Sequence, residues 1–186
     1  MYQIILASQS PRRRQILKDA GISFESKVKD TNEDFPSSLP KQEVPVYLAN
    51  KKATAFIKEL KENELLITAD TVVIIKNEIL NKPRDKGEAM QMLQKISGTM
   101  HEVVTGVCLT SLHKQISFSD LTKVYFLPLS SKDIEYYIDN YKPFDKAGSY
   151  GIQEYIGHIG IEKIEGSYFN VMGLPIHKVI QHLRAF

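Results

Sequence analysis

The amino-acid sequence predicts an α/β fold, because segments typical of strands alternate with segments typical of helices along its 186 residues. An apolar run at residues 4–6 leads directly into a helix start at Ser10 and Pro11. A nearly continuous apolar segment at 65–75 is typical of a strand that is buried on both faces. No linker, repeat or low-complexity stretch divides the chain, so we expect one compact unit with two lobes that face a cleft.

Capping and turn residues set the bounds of the predicted helices. Ser10 is a good N-cap, Pro11 suits the first helical position, and Gly21 ends that helix. Apolar residues at helical spacing indicate the second helix, and Ser97 with Gly98 ends the third. Ser130 or Ser131 caps the fourth helix, and a fifth helix closes the chain. The predicted helices cover residues 11–20, 46–60, 86–96, 130–141 and 173–183.

The strands are predicted from apolar runs and their turn residues. Only Thr68, Asp70 and Thr71 interrupt the apolar run at 65–75, and the short segment behind it is expected to return as a hairpin. Two long segments on either side of His113 and Lys114 are expected to form a pair of strands. The predicted strands cover residues 3–7, 23–29, 65–75, 76–80, 103–112, 116–129 and 159–164.

The bulk composition narrows the classes of function. The formal net charge is +2 and hydrophobic residues make up 42% of the chain, which describes a globular protein and gives no argument for nucleic-acid binding. Five histidines without metal-ligand spacing, and no serine in a nucleophile elbow, argue against zinc and covalent catalysis. The one cysteine, Cys108, is expected in the core. Since no leader peptide and no membrane-length apolar run is found, we expect a cytoplasmic protein.

Arg12 and Arg13 place two positive charges on the first turn of the first helix. Cations at that end oppose the helix dipole, so they make sense where an anion binds. A strand, a serine-rich loop and a helix N-terminus form a ready phosphate site, to which guanidinium groups add bidentate contacts. The glycine spacing of a P-loop or a dinucleotide fingerprint is absent, so the nucleotide-binding mode would be a different one. The alternative is a solvated basic turn.

Asp70 is the second candidate for a functional role. A carboxylate within so apolar a strand is costly to bury unless it is paired or bound to a cation. Catalytic groups commonly lie at strand ends in α/β sheets, so the position favours a catalytic residue or a cation ligand. The alternative is an aspartate that caps a neighbouring turn.

Three further charged residues are each expected at the surface when they are considered singly. Glu33 lies in a polar loop, and Lys52 lies on the helix face opposite the apolar stripe. Lys82 lies in an extended segment, because a proline follows it. Together with the two arginines of the first helix, these lysines offer four cations that a polyphosphate could gather.

The loop at residues 145–153 combines charges, glycines and an aromatic side chain. Gly148 and Gly151 allow a ligand to approach the backbone closely. Gln153 carries both a donor and an acceptor, which suits the reading of a base edge. The alternative is a tight structural turn with Tyr150 packed on the core.

Several sequence motifs are spread along the chain. They are Leu6-Ala7-Ser8-x-Ser10-Pro11-Arg12-Arg13, Ala69-Asp70-Thr71-Val72-Val73, Lys82-Pro83, Ser97-Gly98-x-x-His101-x-Val103-x-Thr105, Asp145-Lys146-Ala147-Gly148 and Asn170-Val171-x-Gly173-Leu174-Pro175. In order and spacing these motifs resemble those of the Maf family, and the resemblance covers essentially the whole chain. The first motif and the Asp-Lys-Ala-Gly run are the most specific of them.

This resemblance implies one nucleoside triphosphate pyrophosphatase domain over residues 1–186, of a family associated with inhibition of septum formation in bacteria. The implied fold is similar to that of inosine triphosphatases, with an elongated mixed sheet flanked by helices and two lobes around a cleft. A divalent cation (Mg²⁺ or Mn²⁺) is implied as cofactor, and a cytoplasmic homodimer without membrane or nucleic-acid partners as the working form. The alternative function is a non-catalytic nucleotide- or nucleic-acid-binding regulator of septum formation.

The resemblance also implies roles for individual residues. Asp70 is implied as the catalytic carboxylate that accepts a proton, and Asp70 and Glu33 as ligands of the metal ion. Asn32 stands where the family often has a second acid. The residues implied at the phosphates are Ser8, Arg12, Arg13, Lys52 and Lys82.

Three positions indicate a branch within the family. Arg12, Thr71 and Gln153 resemble the branch that acts on thymidine and uridine triphosphates. The branch that acts on a methylated guanosine triphosphate carries Trp, Gln and Glu at these places. We therefore expect dTTP and UTP to be the favoured substrates.

Overall fold

The computed structural model describes residues 2–186 and confirms the predicted α/β class. The strands are β1 (Gln3–Ala7), β2 (Phe24–Lys27), β3 (Glu64–Ile75), β4 (Glu78–Leu80), β5 (Met100–Thr110), β6 (Gln115–Phe126) and β7 (Ile161–Glu165). The α-helices are α1 (Pro11–Asp19), α2 (Val44–Thr54), α3 (Lys86–Ile96), α4 (Ser131–Tyr141), α5 (Tyr155–Gly160), α6 (Tyr168–Val171) and α7 (Ile176–Arg184). None of the helices within residues 2–186 has the length and apolarity needed to cross a membrane.

The seven strands form one mixed sheet. Its spatial order is β2-β1-β3-β5-β6-β7, and β4 pairs with β3 beside this path. Strand β1 runs parallel to both of its neighbours, with Ile4 opposite Phe24 of β2 and Leu65 of β3. Strand β4 pairs antiparallel with β3, and β7 pairs antiparallel with β6. Parallel neighbours on both sides explain why β1 ends in an uninterrupted apolar run.

The predicted hairpin between β3 and β4 is confirmed. Lys76 and Asn77 form its turn with φ values of 46° and 63°. Positive φ at both central residues is what a two-residue type I′ hairpin turn requires. The return strand β4 is short and pairs Ile79 with Ile74 and Leu80 with Val73.

The second helix is shorter than the one predicted over residues 46–60. Helix α2 begins at Val44, since Pro45 is tolerated in a first turn, and it ends at Thr54. A 3₁₀ turn at Ile57–Glu59 follows and completes the predicted segment. Phe56, which immediately precedes this turn, is buried in the core. Helical spacing alone does not distinguish the end of an α-helix from a following 3₁₀ turn, because both place residues three apart on one side.

The C-terminal segment departs most from the prediction. The strand predicted over 159–164 begins only at Ile161, because the preceding residues belong to helix α5. The helix predicted over 173–183 begins at Ile176, because Gly173 has a φ of 108° and Pro175 is the N-cap. Helices α5 and α6 are absent from the prediction, since helices of one turn or so show no readable periodicity.

The chain forms two compact units, which agrees with the expectation of two lobes. The first unit comprises the residues up to Thr71 with Thr105–Asp120 and Gly173–Phe186, and the second comprises Val72–Val104 and Leu121–Met172. Each unit has its own hydrophobic cluster. In the first unit the cluster contains Ile5, Ala7, Ala49, Ala53, Phe56, Leu66 and Cys108, which confirms the buried cysteine. In the second unit it includes Val73, Leu93, Ile96, Val124, Tyr137 and Ile156.

Candidate active site

Helix α2 and strand β3 are held together in the first unit at the point where the charged residues meet. A Cβ on Gly106 of β5 would lie only 2.2 Å from the backbone of α2, so this position has no room for a side chain. Thr68 of β3 donates a hydrogen bond to the carbonyl of Ala49 in α2, at 2.7 Å. Side chains alternate across a strand, so Asp70 faces the same side as Thr68. Lys52 lies about one helical turn beyond Ala49 and reaches that face.

Lys52 joins the two acidic residues that the sequence singles out. Its Nζ lies 2.5 Å from Oδ1 of Asp70 and 2.7 Å from Oε1 of Glu33. The side chains of Lys52 and Asp70 are 18% and 12% exposed, whereas that of Glu33 is 54% exposed. The interpretation of Lys52, taken alone, as a solvated lysine is therefore wrong. Lys52 does lie on the helix face opposite the apolar stripe, but there it contacts the two carboxylates instead of water.

The helix start predicted for α1 is confirmed in its details. Ser10 is the N-cap and its Oγ accepts a hydrogen bond from the Arg13 backbone N–H at 3.4 Å, with Pro11 in the first turn. No acidic residue lies in that first turn. Ser8 is buried just before the cap, and its Oγ accepts a hydrogen bond from the Ser10 N–H at 3.2 Å.

Arg13 binds the protein through its guanidinium group. Nε donates to the Gly173 carbonyl at 2.7 Å, and Nη1 donates to the Ala69 carbonyl at 2.9 Å and to Ser8 Oγ at 3.3 Å. Nη2 donates to Thr71 Oγ1 at 3.0 Å. A guanidinium has five N–H groups, so these four bonds leave one N–H without an acceptor within residues 2–186. Arg13 therefore ties together the β1 loop, strand β3 and the segment before α7.

The charges around Arg13 act on it in opposite directions. Burial lowers the pKa of its guanidinium, while the Asp70 carboxylate raises that pKa, Arg12 lowers it and Glu33 raises it. An arginine stays charged under all ordinary conditions. The first unit therefore collects three cationic and two anionic side chains within one electrostatic neighbourhood.

Thr71 is placed by hydrogen bonds on both sides of its hydroxyl. Its Oγ1 accepts from Arg13 and shares a further hydrogen bond with Thr105 Oγ1, at 2.9 Å. A Cβ on Gly173 would make only ordinary contact, at 3.5 Å, with Arg13 Nε and Thr71 Oγ1, so glycine is favoured here by its φ of 108° and not by lack of space. Thr71 therefore has a fixed rotamer within the arginine network.

Glu33 and Asp70 fit a hard divalent cation by their chemistry. Their carboxylates share one cationic partner, so both can direct an oxygen to a common position. Within residues 2–186, no group of three or more His, Cys, Asp or Glu side chains could hold a metal ion. Mg²⁺ is commonly bound by one or two carboxylates together with substrate phosphates and water, so two acids are sufficient for that class of site.

Lys82 and Gln153 belong to the second unit. Lys82 is exposed in the segment between β4 and α3, before the buried Pro83. Gln153 is half-buried, and its Oε1 is buried without a hydrogen-bond partner among the described residues. A buried amide oxygen that accepts no hydrogen bond is costly, so this atom has an unused capacity to accept one.

The loop that carries Gln153 is held by a network that sequence reasoning missed. Tyr137 of α4 donates a hydrogen bond to Glu154 and accepts one from the Gly151 N–H at 3.0 Å. Glu154 is also paired with Lys146, whose Nζ lies 3.2 Å from Oε1 and whose side chain is 8% exposed. The Asp-Lys-Ala-Gly run contains Lys146 and its neighbouring partner Asp145, but Glu154 lies beyond the loop, so the run alone does not reveal that second pair.

His101 and Tyr150 form a second buried contact under the same loop. Their Nε2 and hydroxyl atoms lie 2.7 Å apart, and both side chains are buried. Burial lowers the pKa of His101 to about 4, so the imidazole is neutral at pH 7. Tyr150 packs on the core, as the structural alternative for this loop predicts, and His101 is a buried residue beside it.

Known proteins match this chain along nearly its whole length. A family model described as Maf-like protein matches residues 3–186. The dTTP/UTP pyrophosphatase of Porphyromonas gingivalis is 50% identical over 188 residues, covering 100% of this chain and 94% of that protein. The dTTP/UTP pyrophosphatase of Flavobacterium psychrophilum is 52% identical over 181 residues, covering 97% of this chain and 93% of that protein.

Among solved structures, the Staphylococcus aureus Ham1 protein aligns with a TM-score of 0.49 and 13% identity, covering 67% of this chain and 71% of that chain. The two dTTP/UTP pyrophosphatases are far closer in sequence, because they share about half of their residues with this chain along nearly its whole length. On this evidence the chain belongs to the Maf family.

Proposed function

We propose that this protein hydrolyses dTTP and UTP to the nucleoside monophosphate and pyrophosphate. The observation that carries the proposal is the Glu33–Lys52–Asp70 cluster beside Arg13, in a chain about half identical to proteins named dTTP/UTP pyrophosphatase. A carboxylate near several cations suits hydrolysis of a polyphosphate, because one group can take up a proton while the others neutralise phosphate charge. A protein that only binds anions gains nothing from a carboxylate at this place.

The proposed reaction transfers the nucleotidyl group to water. The water oxygen forms a bond to the α-phosphorus, the bond from that phosphorus to the bridging oxygen breaks, and pyrophosphate leaves with its electron pair. Asp70 takes up the proton of the water or holds the cation that activates it. A bound Mg²⁺ or Mn²⁺ would supply charge neutralisation at the phosphate oxygens. Glu33 and Asp70 are the side chains that would hold it.

Five residues are proposed to bind the phosphates. In the first unit, Ser8, Arg12 and Arg13 lie at the N-terminus of helix α1, where the backbone dipoles also favour an anion. From the second unit, the exposed Lys82 is assigned to the same role. The proposed phosphate residues are Ser8, Arg12, Arg13, Lys52 and Lys82.

We also propose that the protein works as a cytoplasmic homodimer with one functional domain over residues 1–186.

The function is tested by release of pyrophosphate from a panel of nucleoside triphosphates. We expect release from dTTP and UTP in the presence of Mg²⁺ or Mn²⁺, and loss of release when a chelator is added. Release should be clearly faster from dTTP and UTP than from ATP and GTP. Binding of these nucleotides without release of pyrophosphate would contradict the proposal and would favour the regulator of septum formation.

Base selection is proposed to depend on Gln153. Its amide offers a donor and an acceptor, and a uracil or thymine edge presents carbonyls beside an N–H. The buried Oε1 without a protein partner supports this role, because a base N–H can donate to it. Arg12 and Thr71, which match the same branch, are proposed as further residues that decide specificity.

Gln153→Glu is expected to lower the ratio of kcat/KM for dTTP to kcat/KM for GTP by at least about tenfold. The substitution replaces an amide donor with an acceptor and changes the shape of the side chain little. Steady-state kinetics with both nucleotides measures the ratio. Gln91→Glu, an exposed glutamine of helix α3, makes the same chemical change away from the loop and should leave the ratio unchanged. An unchanged ratio in Gln153→Glu would mean that this residue only supports the loop.

A further inference from the structure

We propose that Lys52 and the divalent cation compete for the same pair of carboxylate oxygens, and that the triphosphate opens the metal site by drawing the Lys52 ammonium away. The inference rests on the proposed function, because the triphosphate and the cation are the reactants of that function. It assigns Lys52 a second role, in which it controls the order in which substrate and metal bind.

The contact distances carry the first step. The Lys52 nitrogen lies 2.5 Å from Asp70 Oδ1 and 2.7 Å from Glu33 Oε1, so one atom bridges both carboxylates. A Mg²⁺ ion binds oxygen at about 2.0–2.1 Å. A cation held by Asp70 and Glu33 through these oxygens would compete with the ammonium, because the two groups would overlap and their like charges repel.

The balance of charge carries the second step. With Lys52 in place, its ammonium occupies one oxygen of each carboxylate, and its positive charge repels a metal ion from the pair. When Lys52 withdraws, the two oxygens that it held, Asp70 Oδ1 and Glu33 Oε1, lose this competitor for a divalent cation. The nucleotide-free protein should therefore bind the metal weakly, although it contains both of its ligands.

The triphosphate provides the alternative partner for Lys52. A lysine ammonium sits on a flexible four-carbon stem and donates readily to phosphate oxygens. Lys52 lies in the last turn of α2, whose backbone is fixed to β3 through Thr68, so a change of rotamer can move the ammonium without moving the helix. Binding of the triphosphate and binding of the cation then favour each other, as coupled equilibria require.

The test is direct measurement of Mn²⁺ binding to the nucleotide-free full-length protein, by electron paramagnetic resonance of the free ion. We expect Lys52→Met to bind Mn²⁺ about tenfold more tightly than the wild type, within the usual range of coupling between sites. Lys51→Met is the matched control. Lys51 lies in the same turn, but its Nζ donates to the Asp34 carbonyl at 2.9 Å instead of to either acid. It should stay within about twofold of the wild type.

Two results would overturn the proposal. One is equal Mn²⁺ affinity in Lys52→Met and the wild type, and the other is the same gain in both variants, which would reflect net charge alone. If Lys52→Met does not fold by circular dichroism, Lys52→Gln takes its place with the same expected results. Pyrophosphate release by the wild type is measured on the same preparation. If Lys52→Met binds Mn²⁺ more tightly but the wild type releases no pyrophosphate, only the proposed function is contradicted. If the wild type releases pyrophosphate but Lys52→Met does not bind Mn²⁺ more tightly, only the competition between Lys52 and the metal ion is overturned.

Discussion

Asp70→Asn is expected to lower the rate of pyrophosphate release from dTTP by at least about 100-fold, because acid–base and metal-ligand roles are typically worth this much or more. The substitution is nearly isosteric and removes the negative charge that faces Lys52. An asparagine can neither take up a proton from water nor bind a cation strongly. Steady-state release of pyrophosphate at saturating dTTP and Mg²⁺ measures the effect.

The fold should survive this change, and a second aspartate provides the control. Asp120 of β6 is 12% exposed, like Asp70, and it is paired with Lys178 at 2.7 Å. Asp120→Asn therefore removes an equally buried, lysine-paired carboxylate outside the proposed site, and we expect it to keep wild-type turnover. Thermal unfolding of both variants shows whether either loses its fold. Turnover above about a tenth of wild type in folded Asp70→Asn would contradict a catalytic role.

Mn²⁺ binding to the same variant separates the two roles of Asp70. If this carboxylate is a metal ligand, Asp70→Asn should lose Mn²⁺ affinity along with turnover. If it acts only as the proton acceptor, Mn²⁺ affinity should be retained while turnover is lost. Either outcome is compatible with the proposed hydrolysis.

The parts of the fold that the sequence predicts well are those with local signals. The start of α1 follows from a capping serine and a proline, and the hairpin between β3 and β4 follows from two apolar runs with a short turn. Helix α3 has the predicted bounds, with Gly98 at a φ of 66° just after its end. In each case the residues that decide the structure are close neighbours in the chain.

The contacts of the candidate site depend on residues that are far apart in the chain. Lys52 and Asp70 are separated by 18 positions, and the Arg13 guanidinium bonds to carbonyls 56 and 160 positions away. Helical spacing predicts which face of α2 is apolar, but it does not show that β3 brings a carboxylate to the other face. The residue types could be selected from the sequence, whereas their partners required the tertiary structure.

Arg13→Ala is expected to lower the melting temperature by roughly 6–12 °C, which corresponds to about 3 kcal/mol for a chain of this size. The position on a first turn predicts no such loss, because a cation there is mildly unfavourable without an anion. The hydrogen bonds reverse that expectation. Truncation removes the donors of the Gly173 and Ala69 carbonyls, and both of these residues are buried. A buried acceptor that loses its donor costs about 1–3 kcal/mol.

Arg14→Ala is the matched control, because it removes the next arginine of the same helix. Arg14 donates to the carbonyls of Gln9 at 3.1 Å and Ser8 at 3.5 Å, within its own loop. Its removal should change stability by no more than about 0.5 kcal/mol, as is usual at the surface. Equal melting temperatures for the two variants would contradict the anchoring role of Arg13. The Arg13 side chain holds the protein together and is also proposed to bind the phosphates. If the two melting temperatures differ strongly, the turnover of Arg13→Ala has to be measured below its melting transition, so that loss of fold is not taken for loss of phosphate binding.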